Sequence, residues 1–390
     1  MLFDLTTLQV IWWALIGVVL ILYATTSGFD FGVTLLLPFM NRKVKFIDND
    51  NERRVLINTV APTWDGNQVW LIFAGGALLV IWPVVYSSIF SGLYIALMCV
   101  LWSFFLRPPG FDYRSKLPSP IWRKMWDIGL FISAFIPVIV FGLLIGNLFV
   151  GLPIFFDPIT LRSFYMGNLS DLFNMFGINV AFATMCMFLM HGAAHLNRRT
   201  GHELNPMFKR AQQLFGFLFL VFFSLGWLLL YVHVKGYVLV HSPDQALLHP
   251  LSNVVIRKTG MWIHNLVSHP SHLVAPIMVY VFTIVSMLSA NNKGRKGFSF
   301  WCSALAIAST VITFGVTLFP FIVPSSVLPG QSLTVWNSTS SQYTLMGMLY
   351  LTVPMLLIVF AYKIWSYTIL WRKKSYLETK DVVRQSNVLY

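Results

Sequence analysis

The stretch IWWALIGVVLILYATTSGFDFGV, residues 11–33, decides the fold class because nearly all of its side chains are apolar. About 20 apolar residues in helical form are long enough to cross the hydrocarbon core of a bilayer. The apolar residues run continuously and do not alternate with polar ones, which indicates a helix and not a strand of a membrane barrel. The first ten residues carry no basic side chain, so we expect this helix to be retained and not removed as a signal peptide.

The rest of the chain repeats this pattern. Of its 390 residues, 57% are hydrophobic and 11% are charged, with a mean hydropathy of +0.70, which excludes an ordinary soluble domain. We therefore predict an all-α polytopic membrane protein with a single integral membrane domain over residues 1–390. The predicted spanning helices cover residues 9–37, 53–80, 83–105, 122–150, 166–196, 209–232, 266–290, 298–322 and 342–371.

The basic residues predict how the chain is oriented. When successive loops are placed alternately on two sides, all but four of the 27 Lys and Arg residues fall on one side. Basic loops are retained in the cytoplasm, so the N-terminus is predicted outside and residues 372–390 form a cytoplasmic tail, with Lys363 counted beside it. The net charge of +13 then faces anionic lipid, and nucleic acid is not an expected partner.

Two further features are explained by membrane structure alone. Gly142 and Gly146 form a G-x-x-x-G step that permits close packing of the fourth helix against another. The tryptophans near predicted helix ends are typical of an aromatic belt at the membrane surface. They are Trp12, Trp13, Trp82, Trp122, Trp126, Trp262, Trp336 and Trp371.

Two acidic residues lie deep inside predicted helices, away from the helix ends, where an ionised carboxylate costs at least ~2.5 kcal/mol. Asp30 is nine residues from Phe39, near the cytoplasmic end of the first helix, and Asp65 is eleven or twelve residues from the cytoplasmic start of the second, near Arg53. At ~1.5 Å per residue both lie ~13–18 Å from the cytoplasmic surface. We expect the two carboxylates at similar depth on neighbouring helices, reachable from the same side.

The cytoplasmic half of the second helix is polar, whereas residues 69–80 are almost wholly apolar. Pro62 cannot donate a hydrogen bond, so the carbonyl of Asn58 is left without its helical partner. This pattern favours a hydrated half-channel that carries protons from the cytoplasm to mid-membrane. The alternative is that Asp65 only hydrogen-bonds a neighbouring helix and never titrates in function.

Histidine pairs offer a weaker hypothesis. His191 and His195 share a helix face at a spacing that suits a metal or a haem, but no carboxylate or cysteine lies within a turn. We favour interfacial histidines at the cytoplasmic end of the fifth helix. The external histidines His264, His269 and His272 likewise suggest metal binding only weakly. The sequence contains no phosphate-binding loop, dinucleotide fingerprint or hydrolase motif.

Several blocks of the sequence resemble one known family across almost the whole chain. ERRVLINTVAPTWDGNQVWLIFAGGAL, FFLRPPGFDYRSK and SLTVWNSTSSQYTL are similar to subunit II of the cytochrome bd quinol oxidase. The A-P-x-W-D-G-N-Q-x-W and G-F-D-Y-R-S-K blocks are the most specific, and the match is weaker across roughly 185–275.

The resemblance implies a nine-helix subunit with two four-helix bundles and one extra helix. The family oxidises quinol, reduces O₂ to water and takes the protons from the cytoplasm, building a proton gradient without pumping. Two haems b and one haem d belong to subunit I, and subunit II ligates no metal or cofactor of its own. Some members hold a structural quinone in this subunit. The chain is then expected in the bacterial cytoplasmic membrane, bound to subunit I and sometimes to small accessory subunits.

The resemblance also assigns residues. Asp65 matches the Asp of the W-D-G motif, and Asp30 matches the second Asp of D-G-F-D, whereas Ser27 stands where the family has the first. A serine relays a proton but does not hold it as a carboxylate does. The predicted proton route is Asp30 and Asp65 with Ser27, Thr26, Asn58, Thr63 and Gln68 as lining residues. Motif residues given a structural role are Trp64, Gly66, Asn67, Trp70, Arg107, Asp112 and Arg114, with both arginines placed at the cytoplasmic surface as anchors.

Two rival interpretations remain. A proton-coupled secondary transporter acting alone also places carboxylates in mid-membrane, often at broken helices in repeated halves. Here the acids deep inside predicted helices lie only in the first two, and the second half has no matching pair. The other rival is an assembly subunit in which Asp30 and Asp65 only hydrogen-bond.

Overall fold

The computed structural model describes residues 3–40, 49–160, 162–201, 204–241, 253–372, 377–378 and 381. Most of the predicted tail, 372–390, lies outside these residues. The described helices are α1 Leu5–Leu36, α2 Asn49–Val60, α3 Trp64–Ile81, α4 Pro83–Gly92, α5 Tyr94–Phe104, α6 Arg107–Tyr113, α7 Pro120–Val150, α8 Met175–Arg199, α9 Asn205–Val232, α10 Met261–Ser268, α11 Val274–Ser289, α12 Lys296–Leu318 and α13 Gln342–Arg372. The strands are β1 Ile154–Phe156, β2 Ser163–Tyr165, β3 Lys235–His241, β4 Val254–Thr259, β5 Phe321–Val323 and β6 Leu333–Thr334.

The helices confirm an all-α polytopic membrane protein. Within the described ranges, nine helical segments are long and apolar enough to cross a membrane, and the strands form only three two-stranded hairpins. Five predicted helices agree with α1, α7, α9, α12 and α13 to within about four residues at either end. The grouping into two four-helix bundles stays a prediction.

The second predicted helix, 53–80, is interrupted between α2 and α3, so the prediction of one continuous helix was wrong. Pro62 has no N–H and cannot donate to the carbonyl of Asn58. The backbone N–H of Thr63 instead donates to the carbonyl of Val60 at 2.9 Å, which closes a tight turn. The polar W-D-G-N-Q segment therefore forms the first turn of a new helix, α3.

Three other predicted boundaries also differ. The third predicted helix, 83–105, is divided into α4 and α5, with α6 following beyond its predicted end, and the seventh is divided into α10 and α11. The fifth begins at Met175 and not at residue 166, because residues 163–165 pair with residues 154–156 in the β1–β2 hairpin. The region 233–265, which lies between two predicted helices, contains the antiparallel β3–β4 hairpin.

The hairpins gather at the end of the bundle where α1 begins. Trp12, Trp82 and Trp262 are fully buried there, in a core that also includes Tyr237 and Phe321. Their indole N–H groups donate to main-chain carbonyls of other segments at 3.0, 3.4 and 3.0 Å. The aromatic-belt prediction was wrong for these three, because each indole finds its hydrogen-bond partner inside the protein.

Close helix packing centres on α8. A Cβ atom added to Gly146 of α7 would lie 2.6 Å from Cα of Gly177, which confirms the close approach predicted for the G-x-x-x-G step. A Cβ atom on Gly32 of α1 would meet Cα of Gly192 at 2.8 Å. Because α1 and α7 both press against α8, the last ten residues of α1, Ser27–Leu36, are all buried.

Candidate functional site

Asp30 lies in this buried part of α1 and has no solvent exposure. Its Oδ2 accepts a hydrogen bond from Nδ2 of Asn67 on α3 at 2.8 Å. Its Oδ1 has no hydrogen-bond partner among the described residues. A carboxylate in such an interior is costly unless it is paired, hydrogen-bonded or protonated. The groups around Asp30 therefore determine whether it holds or releases a proton.

Arg107, the first residue of α6, is a second fully buried charged residue. Its guanidinium carbon lies over the ring of Phe31, 4.5 Å from the ring centre, and 5.9 Å from that of Trp64. None of its three nitrogens has a hydrogen-bond partner among the described residues, and its charge acts electrostatically on Asp30. The prediction of a surface anchor was wrong, because aromatic faces hold this cation inside the bundle.

Two further buried polar atoms of α1 and α3 have no partner in the described part of the chain, Oγ of Ser27 and Nε2 of Gln68. Ser27 is one helical turn before Asp30 on the same face of α1. Gln68 is reached by the hydroxyl of Tyr23, which donates to Oε1 at 3.4 Å. We call Ser27, Asp30, Gln68 and Arg107 the buried polar cluster.

Asn67 connects the buried polar cluster to other helices. Its Nδ2 donates to Oδ2 of Asp30 and, at 3.2 Å, to the carbonyl of Thr26. Its Oδ1 accepts from Nζ of Lys363 at 3.2 Å and from the hydroxyl of Tyr367 at 2.6 Å. Since an ammonium only donates, the amide oxygen must face α13 and the amide nitrogen must face Asp30. Asn67 therefore acts as a central bridge as well as the structural motif residue that the sequence suggested.

The sequence reasoning missed Lys363 and Tyr367. Lys363 was counted with the basic tail, but it lies inside α13, partly buried and nine residues before the helix ends at Arg372. A lone lysine in an apolar spanning helix is itself a signal of function or pairing, and that signal was available. Tyr367, one turn later on the same face, also hydrogen-bonds the side chain of Thr63.

Asp65 lies on the other side of α3 from Asp30. Its side chain is exposed, whereas Asn67, two residues later, is fully buried. The charges of Asp65 and Asp30 both act on Lys363. Asp30 therefore lies inside the bundle and Asp65 on its surface, with Lys363 interacting electrostatically with both. The expectation that the two lie at similar depth, reachable from the same side, stays a prediction.

The remaining lining candidates bond their own helices. The hydroxyl of Thr26 donates to the Leu22 carbonyl at 2.6 Å, and that of Thr63 donates to the Val60 carbonyl at 3.1 Å. The side-chain amide of Asn58 donates to the Arg54 carbonyl at 2.7 Å. Asn58 and Thr63 are buried near the turn where α2 ends, so they border the site from that side.

Other motif residues support the walls of the site. Trp64 stacks on Phe111 with ring centres 5.3 Å apart, and Trp70 is buried with its indole N–H unpartnered among the described residues. A Cβ atom on Gly66 would lie 2.8 Å from Nζ of Lys363. Asp112 is exposed.

Arg114 was also predicted at the surface and is instead fully buried in an ion-pair cluster. Its Nε contacts Oδ1 of Asp127 at 2.5 Å, and its Nη2 contacts Oδ1 of Asp50 at 2.9 Å. Arg53 also contacts Asp127, at 2.9 Å, and Arg123 contacts Asp50, at 2.7 Å. Burial alone would lower the pKa of Arg114, but the hydrogen bonds and charges of Asp127 and Asp50 raise it. These contacts tie α2, α6 and α7 together.

The histidine pair is buried in the bundle and not interfacial, which corrects that expectation. His191 places Nδ1 2.7 Å from Oγ of Ser303 and Nε2 3.0 Å from the carbonyl of Thr25. His195 stacks on Phe29 with ring centres 4.4 Å apart. Both nitrogens of His191 are thus engaged, and the described residues contain no group of three His, Cys, Asp or Glu that could hold a metal. The pair does not fit a ligand set for a metal or a haem.

The fold and the site together define a polytopic helical membrane protein that buries a carboxylate and a guanidinium in its core. A family model described as cytochrome bd terminal oxidase subunit II matches residues 8–370. The chain belongs to this family.

Known relatives agree with this assignment. The chain is 40% identical to cytochrome bd-I ubiquinol oxidase subunit 2 of Escherichia coli K12 over 388 residues, covering 99% of this chain and 100% of the relative. It is 42% identical to a probable cytochrome oxidase subunit 2 of Haemophilus influenzae over 94% of both chains. A chain of the bd oxidase structure from Geobacillus thermodenitrificans matches 94% of this chain and 100% of its own length, with a TM-score of 0.68 and 12% identity, which supports the fold.

Proposed function

We propose that the chain is the second subunit of a quinol:O₂ oxidoreductase in the bacterial cytoplasmic membrane, with its N-terminus outside and its C-terminus in the cytoplasm. Membership of the subunit II family and the Escherichia coli relative named as a ubiquinol oxidase subunit support this proposal. In it, subunit I carries two haems b and one haem d, which supply the electron transfer from quinol to O₂. This chain stabilises that partner and is not catalytic by itself.

The chain's own contribution in this proposal is a proton route. The observation that carries it is the bridge of Asn67, which joins buried Asp30 to α13 beside exposed Asp65. Buried polar atoms without protein partners are ordinarily solvated by internal water, so the buried polar cluster suits a hydrated station. The charge of Arg107 offsets the cost of ionising Asp30, which lets the carboxyl group both take up and release a proton.

The direction of proton transfer in this proposal is based on which polar residues are buried and which are exposed. Asn58, Thr59 and Thr63 are buried polar residues at the α2–α3 junction, where protons from the cytoplasm would enter. Asp30 holds the proton inside the bundle, and Asp65 on the surface of α3 passes it to the partner subunit. The charge separation between quinol oxidation outside and proton uptake inside then builds the gradient without pumping.

The rival interpretations make different demands. A transporter acting alone would need its carboxylates to line a route across the bundle, whereas Asp65 lies on the exposed side of α3. Family membership also favours the oxidase subunit. An assembly role with no proton transfer is the outcome that the following experiment separates. A structural quinone and accessory subunits remain predictions of the resemblance.

The test is Asp65→Asn in the assembled complex. We expect O₂ reduction and cytoplasmic proton uptake to fall by about 10²-fold, in the range of a lost acid–base group, while haem content is unchanged. Asp4→Asn, an exposed carboxylate at the start of α1 and outside the motifs, is the control and should change neither. Unchanged turnover and uptake in Asp65→Asn would refute the proton route, and loss of haem d would assign Asp65 to assembly.

A further inference from the structure

Lys363 is the one charged residue of the sequence between Gln342 and Leu370, the membrane-spanning part of α13. A charged side chain within a spanning helix is retained where it pairs with another group or has a function. Most of this helix is exposed, with Tyr362 at 60% and Trp365 at 59%. Lys363 and Tyr367 instead turn towards α3, where both donate to the same amide oxygen.

We propose that Lys363 and Tyr367 are positioning residues for proton transfer between Asp30 and Asp65. They hold the amide of Asn67 in the one orientation that lets it donate to Asp30. The ammonium of Lys363 also supplies a positive charge that acts on both carboxylates. Neither side chain carries the proton itself. This inference rests on the proposed proton route and names two of its supporting residues.

The orientation of the Asn67 amide is set by what its neighbours can donate. A side-chain amide has nearly the same shape in its two orientations, so its direction depends on its partners. Lys363 offers only donors, and its Nζ lies 3.2 Å from Oδ1 of Asn67. Without these donors the amide is free to turn its oxygen towards Asp30, where two acceptors would face each other.

The ammonium of Lys363 is placed so that its charge reaches both carboxylates. Lys363 interacts electrostatically with Asp30 inside the bundle and with Asp65 on its surface. A single cation that acts on both carboxylates lowers the cost of placing negative charge on either one, so a proton can move from one to the other without leaving an uncompensated charge.

Gly66 leaves room beside α3 for the ammonium of Lys363. A Cβ atom at Gly66 would lie 2.8 Å from Nζ of Lys363, so any side chain there pushes the ammonium away. The glycine of the W-D-G motif is therefore explained by the passage of Lys363 over α3. Gly66→Ala displaces the same charge that Lys363→Met removes, which supplies a second and independent test.

The experiment uses the whole complex, in membranes and purified. Lys363→Met, Lys363→Arg, Tyr367→Phe and Gly66→Ala are compared for haem content, for kcat and KM with quinol, and for proton uptake after fully reduced enzyme meets O₂. Tyr362→Phe, an exposed tyrosine on the same helix, is the matched control. We expect Lys363→Met to slow kcat and proton uptake about tenfold, because the positive charge that compensates both carboxylates is lost, with KM and haem content unchanged.

The remaining variants distinguish the effect of the Lys363 charge from the effect of the packing and hydrogen bonds around it. Lys363→Arg should recover most of the rate, because it restores both the charge and the donors, and Tyr367→Phe and Gly66→Ala should each show a smaller loss. Normal proton uptake in Lys363→Met would refute the inference, as would loss of haem, which would indicate a purely structural lysine. If Asp65→Asn slows uptake and Lys363→Met does not, the proton route stands and only this inference fails. If neither variant slows proton uptake, the proposed proton route is refuted as well.

Discussion

At the scale of single residues, the site depends on two opposite charges that are buried without a direct ion pair. Neither Asp30 nor Arg107 has measurable solvent exposure, and no contact within 4 Å joins them among the described ion pairs. Each nevertheless acts on the other through a medium of low dielectric constant, where charge interactions extend further than in water. The two charges should therefore behave as one energetic unit.

A double-mutant cycle tests this coupling. Arg107→Met or Asp30→Asn alone leaves one buried charge uncompensated, so each should lower the stability of the purified complex by on the order of 3 kcal/mol. The double mutant should lose much less than the sum of the two, because it buries no net charge. The measurement is the thermal inactivation of the purified complex with haem retention. Simple additivity would mean that the two groups are independent.

The residues that sequence reasoning found and missed differ in one respect. Asp30 and Asp65 stand out because a carboxylate inside a predicted membrane-spanning helix is rare and can be recognised without knowledge of its neighbours. Lys363 and Arg107 lie near basic helix ends in the sequence, so both were assigned to the cytoplasmic surface. Only the packing of α6 and α13 against α1 and α3 shows that they face inward. The bridging role of Asn67 likewise depends on partners 296 and 300 residues away in the sequence.

At the scale of elements, the interrupted second helix is held in place by the ion-pair cluster of Arg114. Asp50 and Arg53 of α2 bond Arg114 and Asp127, which belong to the α6–α7 region. This fixes α2, and through the turn at Pro62 it sets where α3 starts. A proline inside a polar segment was visible in the sequence. The ion pairs that hold α2 were not, because they join residues 64 to 74 positions apart and only the fold decides which acid meets which base.

The ion-pair cluster of Arg114 contains a buried pair and a more exposed pair, so the two can be compared within one protein. Asp127→Ala removes the more buried of the two acidic partners of Arg114 and should lower the free energy of unfolding by about 3 kcal/mol, because the buried guanidinium keeps only the more exposed Asp50. Arg123→Ala removes the most exposed partner, 29% exposed, and should cost less than about 1 kcal/mol. The stability losses of both variants are measured by thermal unfolding of the purified complex. Equal losses in the two variants would contradict the distinction between buried and peripheral pairs.

At the scale of the whole molecule, one exposed stripe of α3 combines a carboxylate with apolar side chains. Asp65, Val69 and Ile72 recur at helical spacing, with Val69 47% and Ile72 74% exposed. An ionised group facing lipid at this level of a spanning helix costs at least ~2.5 kcal/mol. The exposed apolar side chains could face either lipid or another protein. The carboxylate of Asp65 is therefore the group that indicates a protein partner over this stripe.

Site-specific photo-crosslinking tests that coverage. A photoreactive phenylalanine analogue at Val69 or Ile72 should link to subunit I in native membranes if the stripe around Asp65 lies against that partner, as the proposed proton transfer requires. The same analogue at Phe217 of α9, which is 59% exposed and distant in the chain, serves as the reference for a lipid-facing position and should give no such link. If Phe217 crosslinks and the α3 positions do not, Asp65 faces lipid or water, and the transfer of protons from this stripe to the partner loses its physical basis.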